Sequence, residues 1–272
     1  MVHAADQHHH GVDGYSDCRM GGDPPQKYRL KKMIELDHIT LGYEGRTLVK
    51  QASARFQAGQ LTALIGRNGT GKSTLLRAII GLGGLTEGCI HIAGKALETI
   101  TPPQIAREIA FVTTERVRIA NLRCRDVVAL GRAPYTNWIG RMQEEDRRIV
   151  EQALERVGMI DYLDRTMDRM SDGECQRVMI ARALAQQTPI MLLDEPTSFL
   201  DLPGRYELAD LLGRLAHEEQ KCILFSTHEL DIAEQLCDSI ALIDTPQLHH
   251  LPTEQMHQSG LIERLFRTTR KQ

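Results

Sequence analysis

The chain has 272 residues, enough for one large core or a core with a smaller lobe, and carries 33 basic against 36 acidic side chains for a net charge of -3. That balance gives no electrostatic reason to expect nucleic acid, and the six cysteines (Cys18, Cys89, Cys124, Cys175, Cys222, Cys237) include no C-x-x-C pair, which speaks for reduced thiols in a cytosol rather than a zinc site or a disulfide framework. No apolar stretch approaches the roughly 18 residues of a membrane span and no apolar leader opens the chain, so any membrane role is expected to come through a partner.

In chain order, residues 1–32 stand apart. His3 and the run His8-His9-His10 lie among glycine, aspartate and proline without periodicity, the composition of a disordered extension rather than of a metal site. Folded sequence is expected from Met33, a candidate alternative start, through 272 as one domain. There Ile34, Leu36, His38 and Thr40 alternate with Glu35, Asp37 and Ile39 as in a strand. Further strands are expected at 53–57, 61–66, 89–93, 109–114, 190–195, 222–227 and 240–244, alternating with helices in the manner of an α/β sheet with crossover helices. One stretch, about 116–185, lacks any strand pattern, whereas 126–131, 144–157 and 174–186 read as helices, the second closed by Gly158; it is expected as a helical subdomain inserted into the core.

Gly66-Arg67-Asn68-Gly69-Thr70-Gly71-Lys72-Ser73-Thr74 fills every slot of G-x-x-x-x-G-K-[ST], between the apolar run 61–65 and a helical run beginning at Ser73. Glycines let the backbone wrap closely around an anion, so that successive N–H groups and the positive end of the helix converge on one triphosphate. Lys72 would reach the β- and γ-phosphates, and the Ser73 hydroxyl would take one position on Mg²⁺.

A second apolar strand, Ile190-Met191-Leu192-Leu193, ends in Asp194 and Glu195, at the strand end where ligands of open α/β sheets bind. Asp194 would hold Mg²⁺ directly or through water, and Glu195 is placed to polarise the water that attacks the γ-phosphate. The run 222–227 repeats the design with His228 at its end, where the imidazole could hydrogen-bond the γ-phosphate and the attacking water.

With these residues in place the chain resembles the ATP-binding-cassette family over nearly everything from Met33 onward. Met170-Ser171-Asp172-Gly173-Glu174-Cys175-Gln176 is similar to the family signature L-S-G-G-Q, Ser198-Phe199-Leu200-Asp201 to its dimer-contact loop, and Tyr43 to the aromatic that stacks on adenine. The resemblance implies an α/β fold, a P-loop ATPase core of ABC type with an antiparallel β subdomain and the inserted helical subdomain. It implies ATP and Mg²⁺ as cofactors, and a homodimer in which Ser171, Gly173 and Glu174 of one copy contact the nucleotide in the Gly66–Thr74 cradle of the other. In place of the family's glutamine after 109–112 stand Thr113-Thr114-Glu115, and Thr114 is carried over as the oxygen ligand for Mg²⁺. Asp172 and Glu174 add negative charge beside a phosphate site, so Asp172 is expected to point away and leave the contacts to Ser171 and the Gly173 N–H.

A narrower resemblance covers Arg125-Asp126-Val127-Val128-Ala129-Leu130-Gly131-Arg132-Ala133-Pro134-Tyr135, similar to a stretch in ATPase subunits of bacterial importers for iron-siderophore, haem and cobalamin. It implies polytopic permease partners with a substrate-binding protein, and a peripheral place at the cytoplasmic face of the inner (plasma) membrane. A soluble non-transport cassette ATPase is the alternative reading. Its ribosome-associated members usually carry two cassettes per chain and its DNA-repair members long coiled coils, and neither pattern is present in this sequence.

Overall fold

The computed structural model describes residues 32–43, 45–115, 121–136 and 142–267, so the expected extension and its histidines lie outside the described residues apart from Lys32. In chain order the elements are β1 (Lys32–Tyr43), β2 (Arg46–Gln57), β3 (Gln60–Gly66), α1 (Lys72–Ile79), β4 (Leu85–Ile92), β5 (Lys95–Ala96), α2 (Pro102–Glu108), β6 (Ile109–Val112), α3 (Cys124–Ala129), α4 (Glu144–Arg156), α5 (Asp172–Ala185), β7 (Ile190–Leu193), α6 (Leu202–Glu218), β8 (Cys222–Ser226), α7 (Leu230–Leu236), β9 (Ser239–Asp244), β10 (Gln247–Pro252), α8 (Thr253–Gln258) and α9 (Leu261–Arg267).

Two sheets divide the strands. An antiparallel sheet runs β2-β1-β4-β5, and a larger one runs β10-β9-β3-β8-β7-β6, parallel from β9 to β6 with β10 antiparallel at its edge. Strands covered on both faces must be apolar on both, and β7 is buried at all four positions. β3 shows the two-sided packing directly: Leu61, Ala63 and Ile65 join a core with the helices of the second half, while Leu64 packs with Leu75, Leu76 and Phe56 beneath the antiparallel sheet.

β1 corrects the expected alternation. His38 adopts φ +47 and is exposed, the register with β2 shifts between Leu36 and Ile39, and Ile39 is fully buried. A bulge inserts one extra residue and so reverses which side chains face the core, placing Ile39 where the plain alternation had put His38. The sequence shows no separate pattern for α2, β5 or β10 and does not bound the helices from α6 to α9, though its strand alternation implies crossover helices.

Among the described residues between β6 and β7, the chain forms helices and short 3-10 segments, with one isolated bridge joining Arg123 to Thr166. α4 stops where Gly158 turns at φ +70. The turn after α3 lies directly on α5, since a Cβ on Gly131 would come within 2.2 Å of the Arg182 carbonyl oxygen. Next to it Arg132, 7 % exposed, joins three segments: its Nε donates to Asp146 Oδ1 at 2.9 Å, and its Nη1 donates to the Ala185 carbonyl and to Gln187 Oε1, both at 2.9 Å. Asp146 in turn accepts the Gln143 N–H at the start of α4, 3.0 Å away.

The Gln143 amide and the Arg132 guanidinium hold the Asp146 carboxyl below the usual carboxylate range. A depressed folded-state pKa contributes stability that is present above the unfolded-state value and is lost as the pH falls through the folded one. Arg132→Ala strands a buried carboxylate and should cost about 3 kcal/mol or more by urea unfolding near neutral pH. The difference from the parent should begin to shrink below about pH 4, where Asp146 protonates in the unfolded chain, and disappear only below its depressed folded-state pKa; a cost independent of pH would show that the ion pair is not its source.

Candidate active site

β3, β8 and β7 are adjacent and parallel, so the turns that follow them share one edge of the sheet. These turns carry the glycine loop, Thr227-His228 and Asp194-Glu195 respectively. In the loop, Gly69 (φ +75) and Gly71 (φ +106) lie in the left-handed region, and a Cβ on Gly71 would sit 3.1 Å from the Leu48 Cβ. Gly71 gives α1 no side-chain cap, which leaves first-turn N–H groups for an anion.

Lys72 is only 6 % exposed, and its ammonium donates to the carbonyls of Gly66 at 3.0 Å and Arg67 at 3.4 Å. Burial lowers its pKa below the ordinary lysine value, while the carboxylates of Glu195 and Asp194 act in the opposite direction. The Arg67 guanidinium donates to the Leu265 carbonyl and ties the loop to α9, and the Thr70 hydroxyl donates to the Arg67 carbonyl at 2.9 Å.

Asp194, 5 % exposed, is held from β6 and β8 together. Its N–H donates to the Val112 carbonyl at 2.8 Å, its carbonyl accepts the Thr114 hydroxyl at 3.0 Å, and its Oδ1 accepts the Ser226 hydroxyl at 2.7 Å. Glu195 adopts φ +46, a conformation that costs a non-glycine residue about 1–3 kcal/mol and that here is held by its N–H donating to Ser226 Oγ at 2.8 Å. The Glu195 carboxylate accepts His228 Nε2 at 2.6 Å and the Ser198 hydroxyl at 3.2 Å.

A cleft of about 860 Å³ gathers Tyr43, Asn68, Gly69, Gly71, Lys72, Ser73, Thr74, Glu195 and His228, together with Arg46 and Leu48. Gly66, Arg67, Thr70, Asp194 and Thr114 stand outside its lining. Tyr43, 62 % exposed, offers a ring on which a flat base can stack. Arg46 and Leu48 were missed by sequence reading because no motif marks them; only the pairing of β2 with β1 brings them to the cleft. Hydroxyl and carboxylate oxygens such as those of Ser73 and Asp194 are of the donor type that suits a hard cation such as Mg²⁺. Glu115, next to Thr114, faces Arg77 on α1 at 3.6 Å.

Ser171, Gly173 and Glu174 are not among the residues of this cleft but form the start of α5. Ser171 Oγ accepts the Glu174 N–H at 3.2 Å, and the Glu174 carboxylate accepts the Ser171 N–H at 2.7 Å and its hydroxyl at 2.9 Å, a reciprocal cap. The Ser171 amide is the main cause that holds the Glu174 carboxyl below its usual range. Gly173 packs against the 198–201 turn, where a Cβ would sit 3.1 Å from the Phe199 carbonyl oxygen.

Known proteins are similar to this chain. Residues 49–198 match the family profile described as ABC transporter. The chain is 39 % identical over 211 residues to an uncharacterized ABC transporter ATP-binding protein of Methanocaldococcus jannaschii, covering 78 % of this chain and 73 % of that one. It is 37 % identical over 200 residues to the iron(3+)-hydroxamate import ATP-binding protein FhuC of Bacillus subtilis, covering 74 % of each. The solved dimeric post-hydrolysis state of an ATP-binding cassette with ADP and Pi has a TM-score of 0.72 to this chain at 25 % identity, over 81 % of this chain and 99 % of that one.

Because Lys72 supplies a buried full charge at the cleft wall, Lys72→Ala should weaken ATP binding by about 1.5–3 kcal/mol, the range for hydrogen bonds to charged groups. Equilibrium titration with ATP checks this; an affinity equal to the parent's would show that the ammonium does not grip phosphate.

Proposed function

The chain belongs to the ABC transporter family and is an ATPase, and on that premise we propose that it powers an importer that takes up a metal chelate, an iron-siderophore, haem or cobalamin, through a separate permease. It acts as a homodimer, peripheral at the cytoplasmic face of the inner (plasma) membrane, with a substrate-binding protein on the other side. Likeness to an iron(3+)-hydroxamate import subunit and to a dimeric cassette supports this reading, as does the stretch from Arg125 to Tyr135. No described helix is long and apolar enough to cross a membrane, in keeping with a permease that provides the passage. An apolar groove of about 670 Å³, bordered by the end of α1, β4, α2 and Phe111 of β6, is the face we assign to the permease. It is continuous through β6 with Thr114 and Asp194, so a partner seated there would act on the site through one strand.

In the proposed reaction Lys72 exchanges the Gly66 and Arg67 carbonyls for β- and γ-phosphate oxygens, the loop N–H groups surround the phosphates, and Tyr43 stacks on adenine. Ser73, Thr114 and Asp194 would hold Mg²⁺. When bound, Mg²⁺ neutralises charge on the phosphate oxygens. The Glu195 carboxylate orients the attacking water and draws on its proton, and His228 fixes that carboxylate and hydrogen-bonds the γ-phosphate. Ser171 and the Gly173 N–H of a second copy close over the same γ-phosphate, with Glu174 giving up its hold on Ser171.

The observation that carries the hydrolytic reading is the 2.6 Å contact between Glu195 and His228 on the cleft wall that also bears Lys72. Glu195→Gln keeps the shape but loses the base, so ATP should bind as in the parent while turnover falls by about 100-fold or more. With its permease in sealed vesicles, the parent should drive ATP-dependent uptake of an iron chelate and the variant should not. Near-parental turnover by Glu195→Gln would remove Glu195 from the chemistry, and parental ATPase that drives uptake of none of the three chelates would reject the importer assignment.

A further inference from the structure

Ser226 touches both members of the acidic pair, and no motif accounts for it. It is fully buried at the end of β8, and its hydroxyl donates to Asp194 Oδ1 at 2.7 Å while accepting the Glu195 N–H at 2.8 Å. The direction of both bonds is fixed by chemistry, since an amide N–H can only donate and an ionised carboxylate can only accept. A buried serine in a strand can satisfy itself on its own segment, as the neighbouring Thr227 hydroxyl does by accepting the Glu229 N–H at 3.0 Å. Ser226 instead reaches another strand's end at both of its bonds. The main-chain pairing of β7 with β8 stops at Leu193 and Phe225, and the Ser226 hydroxyl supplies the next rung. On its other side Ser226 pairs with Leu64 of β3, two residues before the glycine loop begins.

Resting on the roles proposed above for Asp194 and Glu195, we infer that Ser226 is a positioning residue for ATP hydrolysis: it fixes which Asp194 oxygen is left for the metal and holds the Glu195 backbone in the turn that delivers its carboxylate to His228. With Oδ1 engaged by the hydroxyl, Oδ2 is the carboxylate oxygen left for the metal or its water. With the Glu195 N–H tied to the Ser226 hydroxyl oxygen, the left-handed turn at φ +46 is fixed relative to β8, the strand that leads into His228. One hydroxyl therefore sets the metal ligand and the base in a common frame.

The test compares Ser226→Ala, Ser226→Cys and Ser226→Thr with Asp194→Asn. Affinity for Mn²⁺ is measured from the electron spin resonance of the free ion in the presence of a non-hydrolysable ATP analogue, beside metal-free ATP affinity and turnover. Loss of a partner that orients a metal ligand lowers metal affinity or activity by about 10–100-fold, and that is the change expected in both Mn²⁺ affinity and kcat for Ser226→Ala and Ser226→Cys. Metal-free ATP affinity should stay at the parental level, and Ser226→Thr, which keeps the hydroxyl, should retain both properties. Should Ser226→Ala fail to fold, the Cys and Thr pair, matched in burial and differing in donor strength, carries the same comparison. Parental Mn²⁺ affinity and kcat in Ser226→Ala or Ser226→Cys, while Asp194→Asn loses both, would overturn the role of Ser226 alone. Parental Mn²⁺ affinity in Asp194→Asn would overturn the assignment of Asp194 and this inference with it.

Discussion

A buried ammonium facing two carboxylates is the constraint on which this active site depends. Removing Lys72 from water with no opposite charge would cost several kcal/mol, and the same holds for the nearly buried Asp194. For Lys72 the nearby Glu195 and Asp194 carboxylates offset part of that cost, and the Gly66 and Arg67 carbonyls accept its hydrogen bonds. Such an arrangement is complete before nucleotide arrives yet unbalanced in its favour. Phosphate oxygens offer Lys72 stronger acceptors than loop carbonyls do. In the proposed reaction, binding would therefore exchange the Gly66 and Arg67 carbonyls for phosphate oxygens as partners of Lys72.

The sheet order makes this pairing possible and carries it outward. β8 lies between β3, which leads to Lys72, and β7, which leads to the acids, so Ser226 and His228 reach the acids from the middle of the sheet. On the far side α5 begins at the Ser171 cap and ends where the Gln186 amide donates to the carbonyls of Ala106 at 2.6 Å and Ile109 at 3.0 Å, next to β6. Arg182 donates to the Phe111 carbonyl at 3.1 Å from the same helix. α5 therefore joins the Ser171 cap to β6, the strand that leads into Thr114 and borders the apolar groove.

The phosphate loop and the acidic strand end were legible in the sequence because their chemistry is local: glycines where the backbone must turn left, and carboxylates directly after an apolar strand. Ser226 was visible as a letter and silent as a function, since both its partners lie more than thirty residues away, across a strand pairing that no local pattern encodes. α6 was overlooked because Pro203, Gly204 and Gly213 interrupt its pattern. In the structure the proline sits in the first turn, where no N–H is missed, and Gly204 brings its backbone N–H to the Asp201 cap at 3.1 Å. β10 hid because its side chains are half-buried or exposed throughout and show no alternation. The signature was read as a phosphate contact, whereas in the single chain Glu174 closes its cap; only the geometry reveals that a carboxylate already holds the Ser171 hydroxyl.

That one chain's cleft contains no signature residue makes a shared site the central claim. The most direct measurement is single-turnover ATP hydrolysis by mixed dimers carrying Lys72→Ala and Ser171→Arg. With both substitutions on one copy, each composite site receives one lesion and hydrolysis should be lost. With one substitution on each copy, both lesions fall in the same composite site and the other remains whole, so hydrolysis from one site should persist. The reverse pattern, hydrolysis persisting with both substitutions on one copy and lost with one on each, would mean that Ser171 serves the nucleotide of its own chain, and the shared site would have to be abandoned.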